Sequence, residues 1–221
     1  MDERFLIIDT AHRQGQVAVA LGERVVGARF LEESRRHARD LAPRAHELLR
    51  EQGWKPRDLT GVIVSRGPGS YTGLRVGLMS ANTLAYATGC ALLGVDTFAA
   101  IARQVLSATG TVDVLADAQQ DKIYAQRFDQ GRAGALAILP WIAWLQSLPP
   151  TSTVTGPGLE LYGGNIPPGV PQAPRQDWLP RPESLLVLAR ARWLRGDQDD
   201  PFTLEPLYLR LSSAEEKWRR R

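Results

Sequence analysis

Apolar positions along the chain fall into short solid blocks separated by longer periodic stretches. "RFLIIDT" (Arg4 to Thr10) is a continuous apolar run ending in Asp9-Thr10, the pattern of a buried strand. "QVAVAL" and "RVVGARFL" follow, with Gly22-Glu23 between them as a hairpin turn. The chain therefore opens with three predicted strands, the first two antiparallel. From Glu32 to Gly53 the period changes. Ala38, Leu41, Ala42, Ala45, Leu48 and Leu49 recur at spacings of three and four, one face of an amphipathic helix. Pro43 interrupts that face and predicts either a kink or a helix that begins close to it. "GVIVS" (Gly61 to Ser65) is another buried strand. After the loop "RGPGSYT" a helix is predicted from about Gly73 to Thr88, with Gly89 as its C-cap. "ALLGV" is again a strand, and "DTFAAIARQVL" opens a helix capped by Asp96 or Thr97. Strand and helix alternating through short connections predict a sheet with parallel members and covering helices.

The pattern then restarts. "TVDVLADA" and "KIYAQRFD" read as a hairpin pair around "QQD", "WIAWLQSL" as a short helix and "TSTVTG" as a strand. Ten of the chain's 15 prolines fall between Pro140 and Pro182, which excludes long regular elements there. "PESLLVLARARWLRG" (Pro182 to Gly196) is an amphipathic helix with Glu183 in its first turn and Gly196 beyond its end. "LEPLYLR" is a late extended segment. Two related α/β lobes are predicted, residues 1–109 and 110–221.

Two features carry candidate chemistry. Gly67, Pro68 and Gly69 follow a strand directly, and Ser70 and Thr72 are placed to cap the next helix. Helix N-termini offer free N–H groups to anions and glycines permit close approach, so the loop reads as a phosphate cradle. On spacing it reads rather as a tight, well-capped turn, because neither the Walker A lysine nor the dinucleotide glycine spacing is present. The second feature is the row Gly73, Gly77, Ala81, Ala85 and Gly89, all small and four apart, along one side of the helix. Internal glycines cost about 1 kcal/mol each against alanine. The row therefore packs closely on something, either within its own domain or on a helix of a partner. Asp9 and Asp117 end comparable strands in the two halves. Each reads either as a ligand of a metal–nucleotide complex or as a turn cap.

Composition narrows the class. Charged residues make up 23% and the formal net charge is only +3, so the basic tail "EEKWRRR" does not by itself make an RNA-binding protein. The acidic start "MDERFLIID" is unlike a signal peptide and no apolar run is long enough to span a membrane, so a cytoplasmic protein is expected. Cys90 is the only thiol, which excludes a disulfide framework. His12, His37 and His46 lack the spacing of a helical metal pair.

"FLIIDTA", "GPGSYTGLRVGL" with "GVDTF", "LADA" before "KIYAQRF" and the late "PLYLR" together resemble the bacterial TsaB (YeaZ) family. The match covers most of the first lobe and scattered points of the second. The resemblance implies a two-lobed fold of the actin-like ATPase, sugar kinase and Hsp70 type. It implies a role in making threonylcarbamoyladenosine at position 37 of tRNA, as a non-catalytic partner of the transferase subunit TsaD, joined by the ATPase TsaE. It also implies a homodimer when the chain is alone, through the same surface. ATP and metal are then expected on the partner subunits and none on this chain, with tRNA contact indirect or minor and no membrane association. Departures from a working cleft agree: Asp9 is followed by Thr10-Ala11-His12 and Asp117 by Ala118, where the fold uses glycines. The adenosine loop shrinks to "TGPG" (Thr155 to Gly158). His37 is followed at the metal-pair spacing by Leu41, and Gln119 stands where the family often has arginine. The residues expected at a degenerate nucleotide cleft are Asp9, Thr10, Gly67, Gly69, Ser70, Thr72 and Asp117. Those expected at the partner interface are Ala38, Leu41, Ala45, Leu48, Gly73, Gly77, Ala81 and Ala85. The opposing readings are an active kinase, ATPase or glycoprotease-like enzyme of the same fold, and a tRNA-binding module using the basic tail.

Overall fold

The computed structural model describes residues 3–31, 37–106 and 110–209. The basic tail lies outside them. The chain divides into two compact units: Met1–Thr97 together with the chain from Leu185 onward, and Phe98–Ser184. The boundary expected from sequence lay at residue 109. The helix that starts at Thr97 instead packs in the second unit, and most of the Pro182 helix packs in the first.

In chain order the first unit contains β1 (Arg4–Asp9), β2 (Gln16–Leu21), β3 (Arg24–Phe30), α1 (His37–Glu51), β4 (Gly61–Gly67), α2 (Tyr71–Thr88) and β5 (Ala91–Asp96). The sheet order is β3-β2-β1-β4-β5. β1 to β3 form the expected antiparallel meander, and β1, β4 and β5 run parallel. Side chains alternate across a strand, which splits the apolar blocks between two faces. Leu6, Ile8, Val17, Val19, Val62 and Val64 turn to one side, where they form a core with Leu41, Leu48 and Leu49 of α1 and Leu74, Leu78, Ala81 and Ala85 of α2. α1 runs on both sides of Pro43, so it does not begin at that proline; the ring is on the exposed side.

The second unit holds α3 (Thr97–Val105) from Phe98 on, β6 (Thr111–Asp117), β7 (Lys122–Asp129), β8 (Arg132–Ala133), β9 (Ala137–Pro140), α4 (Trp141–Gln146), β10 (Thr153–Thr155) and α5 (Leu159–Tyr162). Its sheet runs β10-β6-β7-β8, with β9 also on β7. The β6–β7 hairpin is antiparallel and β10 is parallel to β6, repeating the logic of the first sheet. Phe98, Ile101, Val112 and Phe128 form one core cluster, and Leu115, Ile123, Trp141, Trp144 and Val154 another. α6 (Pro182–Trp193) joins the first unit from Leu185 on, where Trp193 sets its ring edge-on to Phe5 at 6.4 Å. The first strand pairs antiparallel with its hairpin partner and parallel with the strand after the helix in both sheets. Both units are thus α/β, each built on a mixed sheet with one connection pattern.

Candidate functional site

The glycine-rich loop joins β4 to α2. Ser70 is the N-cap, its hydroxyl oxygen accepting from the Gly73 amide at 3.3 Å. Thr72 lies inside the helix and is exposed. The concave side of the loop is already filled. The turn after β1 rests in it: the Ser70 amide donates to the Ala11 carbonyl at 2.7 Å, and the Thr10 hydroxyl donates to the Gly73 carbonyl at 2.7 Å. A Cβ on Gly69 would collide with the Ala11 carbonyl, one on Gly73 with the Thr10 carbonyl, and one on Gly77 with the Thr10 hydroxyl. The glycines are there because this chain's own backbone passes at contact distance.

That geometry overturns one expectation. Gly73, Gly77, Ala81 and Ala85 are all buried inside the first unit. These four positions do pack closely, but within their own unit, Gly73 on Thr10, Gly77 on Thr10 and Ile8, and Ala81 and Ala85 in the core. Leu41 and Leu48 are likewise core residues, with Leu48 against Gly27 of β3. Of the interface residues expected from sequence, only Ala38 is exposed, and Ala45 is half-buried.

Asp9 is buried at the end of β1. Its carboxylate accepts from the Ala11 amide at 3.1 Å, the Ser65 hydroxyl at 2.6 Å and the Gln16 amide group at 3.5 Å. The neighbouring His12 imidazole is pushed below its ordinary pKa by burial, with the Asp9 charge acting in the opposite sense. Ser65, unremarked as a site residue in the sequence, is what closes this corner. The signal was its place on β4, the strand beside β1. Asp117 ends β6 in the second unit and makes the same local turn, accepting from the Gln119 amide at 2.9 Å, but it is exposed and its other partner is the Tyr162 hydroxyl at 3.2 Å. Burial pushes that hydroxyl's pKa up, and the charges of Asp117 and Asp121 push the same way. Gly156-Pro157-Gly158 after β10 repeats the Gly67-Pro68-Gly69 arrangement: its Gly158 amide donates to the Leu115 carbonyl at 3.0 Å, and a Cβ on Gly156 would strike the same oxygen.

The outward side of α2 is different in character. Thr72, Arg75, Met79, Thr83 and Tyr86 succeed one another at spacings of three and four and are exposed; Met79 and Tyr86 keep 66% and 68% of their surface open. Chain from beyond α6 flanks the stripe. Phe202, 78% exposed, meets Tyr86 edge-on at 5.2 Å, and Tyr208 stacks on Tyr71 at 4.8 Å with the Arg75 guanidinium 4.2 Å from the Tyr71 ring centre. Isolated exposed apolar residues are ordinary, but a continuous stripe flanked by aromatic rings is the form an interaction surface takes.

Residues 31–137 match the family model described as "TsaD: tRNA N6-adenosine threonylcarbamoyltransferase". The chain is 25% identical over 227 residues to the tRNA threonylcarbamoyladenosine biosynthesis protein TsaB of Bacillus subtilis, covering 96% of each. It is 31% identical over 133 residues to the protein of that name in Escherichia coli, 59% of this chain and 57% of that one. The structure of YeaZ from Pseudomonas aeruginosa superposes with a TM-score of 0.77 at 26% identity, covering 94% of this chain and all of that one. The chain belongs to the TsaB (YeaZ) family. What the structure of this TsaB relative adds is the filling of the glycine loop by its own Thr10 and Ala11. Among the described residues no helix is long and apolar enough to cross a membrane.

Proposed function

We propose that this chain is a non-catalytic subunit of the machinery that makes tRNA threonylcarbamoyladenosine. It pairs through the outer stripe of α2 with a TsaD chain and holds that chain in a competent shape. TsaE joins the pair, and in the absence of TsaD the same stripe pairs two copies. ATP and metal belong to the partners. The observation that carries the reading is the occupied loop: Thr10 and Ala11 fill the space beside Gly69 and Gly73 and take the Ser70 amide, while Asp9 is engaged by three internal donors. The match of a TsaD family model to residues 31–137 supports it further, since the partner then carries a related lobe and pairing of like with like is a common solution. Ala38, exposed on α1, is kept as a second contact; Leu41, Leu48 and the small-residue row are not.

The test is size-exclusion chromatography of this chain with TsaD from the same organism. Met79→Asp and Tyr86→Asp, both at exposed positions, are expected to weaken pairing at least ~10-fold, as loss of a central interface anchor does, with the circular dichroism spectrum unchanged. Undiminished pairing by both variants would reject this surface. Calorimetry with ATP and magnesium is the second arm: tight binding with turnover by the isolated chain would favour the enzyme reading.

A further inference from the structure

β5 is the last strand of the first sheet, and an open edge strand invites pairing with another chain. Side chains, not a strand, meet this edge. The Asp199 carboxylate accepts from the Gly94 amide at 2.7 Å, and the Arg192 guanidinium donates to the Gly94 carbonyl at 2.8 Å. The two side chains also pair with each other through two contacts, at 2.8 and 3.1 Å. One opposite-charge pair thus satisfies both backbone groups of Gly94, as a neighbouring strand would, yet offers no fresh edge beyond it. The Asp199 amide completes the contact by donating to the Leu92 carbonyl at 2.8 Å.

From that point the chain runs back alongside α2. The Asn82 amide group donates to the Leu204 carbonyl at 3.3 Å, and Leu204 itself fills the space left by the absent side chain of Gly94. The Leu207 amide donates to the Arg66 carbonyl at 2.7 Å. The Tyr208 hydroxyl accepts from Arg75 at 3.0 Å while its ring stacks on Tyr71. Near its beginning the segment is not close-packed: an open cavity of about 420 Å³ lies among Tyr86, Cys90, Leu92, Asp199 and Pro201. No regular secondary structure holds residues 201–208, so these few contacts are what seat them.

We infer that residues 199–208 form a strap, latched by the Arg192–Asp199 pair, that shuts the β5 edge against strand addition by a second copy and that lets go as one unit. The strap does not depend on which partner α2 meets, although its Phe202 and Tyr208 border that face.

Residue-resolved hydrogen exchange on the full chain tests it, with Arg192→Ala and Asp199→Asn. The second variant keeps an acceptor for the Gly94 amide and removes only the charge, so it decides the matter if the first loosens α6. In both, the amides of Gly94, Asp199 and Leu207 are expected to exchange faster together, by ~10-fold or more, as members of one opening unit do. Ile63, in the middle of the sheet on β4, keeps its protection. Light scattering of the variants is expected to show concentration-dependent assemblies larger than the wild type's. Unchanged exchange at Leu207 while Gly94 opens would overturn the single strap, and variants that open yet assemble no further than the wild type would overturn the edge-guarding role.

Discussion

In the first unit Asp9 ends β1 beneath a Gly-Pro-Gly loop, and in the second Asp117 ends β6 beside another. Both carboxylates take an amide two residues on, and each unit has a Gly-Pro-Gly loop against its chain, Gly69 on Ala11 just beyond β1 and Gly156 on Leu115 within β6. The surroundings then diverge. Asp9 is buried, with Ser65 and Gln16 as further donors, whereas Asp117 faces solvent and shares only the Tyr162 hydroxyl. The contrast teaches that one backbone device serves two ends. Where α2, a helix of 18 residues, lies over the corner the aspartate becomes a structural pin, and where only α5, a helix of four residues, follows the loop it stays wet.

The sharpest way to break this comparison is to put bulk into the first corner. Gly77→Leu drives a side chain into Thr10 and Ile8, and the expected loss is ~4 kcal/mol or more, the range of severe core overpacking. Urea denaturation reads it, and a folded Gly77→Leu protein that merely fails to pair would restore the small row as an interface. Next in size is the matched pair Asp9→Asn and Asp117→Asn. The first leaves a buried amide facing donors and is expected to cost ~2–3 kcal/mol; the second, at an exposed site, no more than ~1 kcal/mol. Equal losses in chemical denaturation would mean that burial does not separate the two corners. The smallest effect concerns pH. His12 titrates below its unfolded value, so the folded state resists taking up a proton that the unfolded chain accepts. Its contribution is complete above about pH 6.5 and declines as the pH falls below that value toward the lowered one. A His12→Gln variant is expected to flatten that part of the stability profile, and an NMR titration of the imidazole at or above pH 6.5 would contradict the assignment.

Much of the architecture was legible from periodicity. The opening meander, the β6–β7 hairpin, α2 with its Gly89 cap and the helix after Pro182 all follow from patterns local to a few residues. What was not legible rests on contacts between distant positions. The small-residue row was correctly read as a close-packing face, but α2 carries apolar residues on both sides. Leu74 and Leu78 look inward, Met79 and Tyr86 outward, and no spacing rule says which side meets β1. The unit boundary was misplaced for the same reason. Arg190 pairs with Glu3 at 2.7 Å across almost the whole chain, a link that local pattern does not carry. The late "LEPLYLR" reads as extended, but no strand forms over residues 204–209 and Arg210 lies outside the described residues; the companions Arg66, Asn82 and Tyr71 lie more than a hundred residues earlier.

The Ala11 carbonyl in the glycine loop is, in effect, a tethered competitor. It accepts the Ser70 amide much as a phosphate oxygen would, and it is joined to the loop through the chain itself. A tethered group acts at an effective concentration of millimolar or higher, on the order of what short linkers provide. A free anion would have to displace a resident that never diffuses away, and it would have to part β1 from α2 to do so. The consequence is selectivity by occupancy: the anion-binding shape survives because the chain supplies its own occupant.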